Sequence, residues 1–282
     1  MKRIIVDTST GCLDYFNHNY NIPIIRINLY FGEESFKDGL DMKADEFYER
    51  IKKEKTLPTT SQPSLGYLND FFTDLYNQGY EEAIVLTISS ALSGTINGIN
   101  NIKAMLEDKI NIVVFDTKTV CFNEGYFAIK AAEWVNEGIP TDEIIKRLEN
   151  MRNNNSLYFC LNSLEYVVKN GRLSNAAGFI ATMFKIKPLL MLNEQGQIVA
   201  TEKIRTMSKA LQTVVDKVYE QTNGKKCTYI LHYTEMNEHV VEMKKLIEEK
   251  FPEINLYEVS TTPVVGTHIG YDGVGIGYFI EE

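Results

Sequence analysis

No stretch of this 282-residue chain approaches the roughly 20 consecutive apolar residues that a bilayer-spanning helix requires, so stable membrane insertion is not expected. Dense basic runs are missing too. The formal charge is −9, which repels phosphate backbones and anionic surfaces at long range, and no helix-turn-helix with basic recognition residues offsets it. Nucleic acid is therefore not an expected partner, and a DNA-binding regulator is disfavoured. Cysteine is sparse: Cys12, Cys121, Cys160 and Cys227 lie far apart, with no Cys-x-x-Cys pair and no histidine at ligand spacing. Neither a metal centre nor a disulfide framework is expected, and the pattern fits reduced thiols in a cytoplasmic protein. The apolar run after Lys2 and Arg3 stops at Asp7, too soon for a secretory signal. No repeat of fixed period and no low-complexity linker occurs.

What is present is enough apolar material, 44% of residues, for one large or two modest cores. Arg3 to Val6, Ile24 to Tyr30, Ala83 to Ile88 and Ile110 to Phe115 read as strands, the last two apolar enough to be buried on both faces. Between them, Leu65, Leu68, Phe71, Phe72, Leu75 and Tyr76 fall on one helical stripe, and Ile96, Ile99, Ile102 and Leu106 on another. This alternation predicts an α/β, Rossmann-like domain with a parallel sheet over residues 1–155, with ligands collecting at the strands' carboxyl ends. A helix from about Asp142 to Met151 closes in the polar run Arg152-Asn153-Asn154-Asn155. Beyond it come strands at Leu157 to Leu161, Lys187 to Leu192, Gln197 to Thr201, Thr228 to Tyr233, Leu256 to Val259 and Val274 to Ile280. Helices are expected at Ser208 to Gln221 and Asn237 to Phe251. More strands and fewer helices predict an α+β domain with a mixed sheet over 156–282.

Chemistry concentrates in hydroxyl-rich turns. Ser89-Ser90-Ala91-Leu92-Ser93-Gly94-Thr95 joins a strand to a helix start, where free amides and the helix dipole favour an anion; the plain alternative is a solvated loop relieved by Gly94. It lacks the lysine of a Walker loop and the Gly-x-Ser-x-Gly frame of a nucleophile elbow, so the turn is built to bind a group rather than to cut or transfer one. Thr60-Ser61-Gln62-Pro63-Ser64 precedes the Leu65 helix, and Ser64 alone is a good cap. If the two turns face each other, Thr60, Ser61 and Ser93 would donate to one oxyanion. Asn170-Gly171-Arg172-Leu173-Ser174 reads as a helix end, a turn and a new helix capped by Ser174; Arg172 is a surface residue or a fork for a carboxylate or phosphate. His268, in Thr267-His268-Ile269-Gly270, is a structural group or a ligand contact, while His18, His232 and His239 read as structural or exposed. Gly273, Gly275 and Gly277 are not followed by a helix and make no dinucleotide fingerprint. Asp7 ends the first strand without the further carboxylates or histidines of a metal site, and is expected to organise hydroxyl and backbone donors in the cleft.

Taken in order, Asp7-Thr8-Ser9-Thr10, Thr60-Ser61-Gln62-Pro63-Ser64, Ser89 to Thr95, Gly171-Arg172-Leu173-Ser174 and Thr267-His268-Ile269-Gly270 resemble the DegV family along essentially the whole chain. Asp7-Thr8-Ser9 departs from the more usual Asp-Ser-Thr only by exchanging hydroxyls. The resemblance implies a fatty-acid-binding protein of two α/β domains with the ligand buried between them. It also implies a carrier subunit that presents a long-chain fatty acid to a separate ATP-dependent fatty acid kinase subunit for acyl-phosphate formation. Carried onto matching positions, Thr60 and Ser93 would bond the carboxylate, with Ser61 as a further contact. His268 would approach from the second domain, and Arg172 would belong to the same network or to the kinase-facing surface. No catalytic residue, metal or cofactor of the chain's own is implied beyond the bound fatty acid.

The residues themselves suit such a ligand. The apolar stretch Ala176 to Met191, with Phe179, Ile180, Met183, Phe184, Ile186, Leu189 and Leu190, would line an acyl tunnel or form ordinary core. Methylenes buried at roughly 0.8 kcal/mol each let a long tail contribute on the order of 10 kcal/mol before ordering costs, so the head site would set orientation. The rival reading is an enzyme acting on a phosphorylated sugar or triose, with the serine turn on the phosphate and His268 as acid or base.

Overall fold

The computed structural model describes residues 1–54, 56–178, 186–251 and 254–281. Four parallel strands, β1 (Arg3–Thr8), β2 (Ile24–Ile25), β6 (Glu82–Thr87) and β7 (Asn111–Asp116), form one sheet in the order β2-β1-β6-β7. A small antiparallel sheet is made by β3 (Asn28–Phe31), β4 (Glu34–Lys37) and β5 (Thr59–Ser61), with β3 central. The remaining strands are β8 (Asn155–Leu161), β9 (Lys187–Leu192), β10 (Ile198–Ile204), β11 (Cys227–Tyr233), β12 (Asn255–Ser260) and β13 (Gly273–Ile280). They form a mixed sheet in the order β10-β9-β8-β13-β11-β12, antiparallel except where β11 meets β12. The parallel sheet in the N-terminal part and the mixed sheet in the C-terminal part are those the alternation and strand count predict.

Strand pleat decides what faces what. In the parallel sheet Ile4, Val6, Ala83 and Val85 pack outward on α2 (Leu65–Asn77) and α3 (Thr95–Met105), while Ile5, Ile84 and Leu86 face inward. In the mixed sheet Tyr158, Cys160, Tyr229 and Leu231 pack outward with α7 (Met207–Thr222) and α8 (Glu238–Lys250). Leu157, Phe159 and Ile230 face the opposite way, into the same central core as Ile5 and Ile84. That core is filled by α4 (Phe122–Asn136), wedged between the sheets, with Ile144 and Leu148 of α5 (Thr141–Asn153) at its margin. All four cysteines are buried free thiols.

Four parts of the chain differ from expectation. The run Ile24 to Tyr30 is two strands in two sheets: Ile25 serves the α2/α3 core and Ile27 the core of α1 (Ala44–Lys53), and an uninterrupted apolar pattern does not mark the change of partner. Helix α4 has apolar residues all round because it is buried on both sides, so it shows no stripe. Helix α9 (Pro263–Ile269) is short and valine-rich, yet Thr262 caps it and Pro263 occupies its first turn. After α6 (Glu165–Lys169) and the turn at Gly171, whose φ is +70°, Ser174 does not cap a new α-helix. Leu173 instead pairs with Ile198, and a single 3-10 turn follows at Ala176–Gly178.

Candidate functional site

Thr60, Ser61, Ser93, Arg172 and His268 line one cavity between the parallel sheet and the mixed sheet. The two hydroxyl turns do face each other: a Cβ on Gly94 would meet Gln62 Oε1 at 2.3 Å. Thr60 is delivered by β5, paired to Leu29 of β3. Ser61 Oγ lies 3.1 Å from the Tyr30 hydroxyl, and Ser93 Oγ lies 2.9 Å from Thr95 Oγ1 and accepts the Thr95 N–H at 3.3 Å. The start of α3 is thus partly capped by its own turn, and the site is walled by hydroxyls more than by bare amides. Ser64 caps α2 by accepting the Tyr67 N–H. Ser89 takes no part in the cavity wall; it donates to the Gly196 carbonyl at 2.8 Å, tying the serine turn to the β9–β10 connection.

His268 reaches this cluster from the last turn of α9. Its Nε2 lies 3.0 Å from Thr60 Oγ1. The helix is held at three points. Asp38 accepts the Val264 N–H at 3.1 Å, Tyr48 bonds Thr261 Oγ1 at 2.6 Å, and Gly266 sits so close to α1 that a Cβ there would meet Phe47 Cε1 at 2.6 Å. Burial, reinforced by the positive charge of Arg172, pushes the His268 pKa down to about 3, so the imidazole is neutral at ordinary pH. Arg172 is anchored to the Asn170 carbonyl through Nη1 at 2.5 Å and to the Leu92 carbonyl through Nε at 3.4 Å. The head end therefore combines neutral donors with one fixed cation, a combination suited to orienting a carboxylate without reacting with it.

Away from that end the wall is largely apolar: Ile88, Leu92, Val120, Leu157, Phe159, Ile198 and Val265. The glycines of β13 now acquire a function. Gly273 and Gly275 alternate along one face of the strand and line the cavity, giving a floor without side chains. A Cβ on Gly275 would meet the Tyr158 carbonyl at 2.6 Å and Phe159 Cβ at 2.7 Å. A glycine at every second strand position was the available signal for this floor.

Placement decides between the two readings for part of the Ala176 to Met191 stretch and corrects the expectation for Asp7. Phe179, Ile180, Met183 and Phe184 lie outside the described residues, whereas Ile186, Leu189 and Leu190 pack into the cores and do not line the cavity. Asp7 is not a cleft organiser. It is wholly buried against Gly11, where a Cβ would meet its Oδ2 at 2.0 Å, and burial pushes its pKa well up. Glu124 of α4, also pushed well up by burial and by Asp7, is what gathers the hydroxyls: Thr10 Oγ1 donates to it at 2.8 Å and Thr8 Oγ1 donates to it as well.

A family model described as "Uncharacterised protein, DegV family" matches residues 2–281. A DegV domain-containing protein of Listeria monocytogenes is 30% identical over 280 residues, covering 99% of this chain and 98% of that protein. Protein DegV of Bacillus subtilis is 30% identical over 275 residues, covering 97% of each. Among solved structures, that of DegV, a fatty acid binding protein from Bacillus subtilis, superimposes with a TM-score of 0.87 at 30% identity. A fatty acid binding DegV family protein from Streptococcus agalactiae superimposes with a TM-score of 0.91 at 26% identity. Both superpositions cover the whole of both chains. Among the described residues, no helix is long and apolar enough to cross a membrane.

Proposed function

This chain belongs to the DegV family, and on that premise we propose that it binds a long-chain fatty acid, carboxylate at the Thr60, Ser93 and His268 end and acyl chain over the glycine floor. The observation that carries this reading is a cavity in which a hydroxyl–imidazole cluster with one guanidinium opens onto an apolar interior. The protonation logic is specific. In the tautomer that carries its proton on Nε2, His268 donates to Thr60 Oγ1, which frees the Thr60 hydroxyl to donate to one carboxylate oxygen. Ser93 donates to the other, Ser61 is a further contact, and Arg172 supplies the compensating charge. Thr60, held by His268 on one side, is thereby prepositioned before the ligand arrives.

The finer reading is that the chain is a carrier: it presents the carboxylate to a separate ATP-dependent fatty acid kinase subunit, which forms the acyl phosphate. The serine turn supports this, since it has neither the lysine of a phosphate loop nor a nucleophile frame. Catalysis on a phosphorylated sugar fits less well, because a histidine with a pKa near 3 is a poor proton donor at neutrality and the wall is mostly apolar. The test is mass spectrometry of the denatured, freshly purified protein together with an acyl-phosphate assay. The expected result is a co-purified fatty acid and no acyl phosphate from the chain and ATP alone; turnover without a partner subunit contradicts the carrier reading.

A further inference from the structure

His232, on β11, lines the same cavity and is only 4% exposed, yet it takes no part in the carboxylate cluster. Its surroundings fix its proton. Asn123 Nδ2 donates to the Ser156 carbonyl at 3.2 Å, which identifies Asn123 Oδ1 as the atom facing His232 Nε2 at 2.9 Å. An amide oxygen only accepts, so the ring proton resides on Nε2 and Nδ1 keeps a bare lone pair. That Nδ1 is buried without a hydrogen-bond partner among the described residues. The amide is itself pinned on the glycine strand, since a Cβ on Gly277 would meet Asn123 Oδ1 at 1.9 Å. Burial pushes the His232 pKa down to about 3, so the lone pair is not lost to protonation at ordinary pH. Two other polar groups of the wall are committed: Thr10 to Glu124, and Thr261 to Tyr48. A buried acceptor without a partner, on a side chain that lines the cavity, is matched by a ligand that brings a donor.

We propose that His232 Nδ1 accepts a hydrogen bond from a hydroxyl on the acyl chain, making His232 a specificity contact and a mid-chain hydroxy fatty acid a favoured ligand. The inference rests on the fatty-acid reading and deepens it. An all-apolar channel would strand the hydroxyl's proton without an acceptor and reject such a chain. The test is calorimetry on the full, delipidated chain with octadecanoic acid and a series of octadecanoic acids hydroxylated at successive mid-chain carbons. At least one isomer is expected to bind within about threefold of the parent or tighter, and His232→Phe should lower the affinity ratio of that isomer to the parent at least about tenfold. Nitrogen NMR of the wild-type protein gives a readout free of any folding defect: the His232 Nδ1 resonance shifts with the hydroxy acid and not with octadecanoic acid. Every isomer binding more than about threefold weaker than a tightly bound parent, or an unmoved Nδ1, overturns this inference alone. Failure of octadecanoic acid to bind overturns the fatty-acid reading beneath it.

Discussion

The head end of the cavity and its sheet-lined wall each hold one buried, neutral histidine, and they differ in what the imidazole faces. His268 meets a hydroxyl, Thr60, which can donate or accept, so the pair can rearrange its protons around an incoming carboxylate. His232 meets an amide oxygen that only accepts, so its proton is fixed. The supports differ in kind as well. His268 rides on a seven-residue helix docked by Asp38, Tyr48 and Gly266, whereas His232 belongs to a strand paired on both sides. An adaptable end and a rigid wall suit one ligand with a polar head and an inert chain: polar interactions orient it, and shape and burial supply the affinity.

The largest break in this arrangement comes from the wall. Gly275→Val puts a branched side chain where even a Cβ meets backbone at 2.6 Å. Stability should fall by roughly 1–3 kcal/mol in thermal denaturation, with the loss characteristic of overpacking. Displacing about four methylenes of ligand should weaken fatty-acid affinity on the order of 100-fold in calorimetry. The head end should respond less. Thr60→Val and Ser93→Ala each remove one charge-assisted hydrogen bond to the carboxylate from a site that keeps Arg172, so each should weaken binding about ten- to thirtyfold, and each should lower stability by about 1 kcal/mol through the bonds to His268 and Thr95 that are lost with the hydroxyl. If these hydroxyl variants proved more damaging than the wall variant, the division of labour would be reversed.

Much of this was legible beforehand, for identifiable reasons. Strand β6 is buried throughout and α2 carries a clean stripe, so period and capping located the Ser64 cap and the serine turn. Thr60, Ser61, Ser93, Arg172 and His268 could be singled out together because their motifs resemble those of the DegV family; their chemistry alone left Arg172 and His268 open between a structural and a binding role. The rest depends on what packs against what. Helix α4 is apolar on every side because two sheets cover it; Asp38 matters through its contact with α9, 226 residues away in the chain; His232 looked structural because nothing local shows that a cavity adjoins it.

Two pH effects separate the regions further. Asp38 is raised by burial from 3.8 to about 7, so the native state holds an extra proton between those values and stability is lost as pH rises through them. Asp38→Asn keeps an acceptor for the Val264 N–H and lacks that titration. Its stability relative to wild type should therefore climb from about pH 4 to about pH 7, by an amount on the order of a few kcal/mol in denaturant titrations. His268, held near 3, carries no charge change across neutrality, so fatty-acid affinity should stay flat between about pH 6 and 8. An inflection near the ordinary histidine value would mean that the head end is charged. The smallest effect is expected at Ser64→Ala, which removes the α2 cap at a cost of about 1 kcal/mol and leaves binding intact.

The most direct measurement is a crystal structure of the protein carrying the fatty acid it co-purifies with. The carboxylate oxygens are predicted within about 3.2 Å of Thr60 Oγ1 and Ser93 Oγ, with the chain running beside Gly273 and Gly275. A carboxylate bound elsewhere, or a chain that leaves the glycine floor empty, would contradict the account.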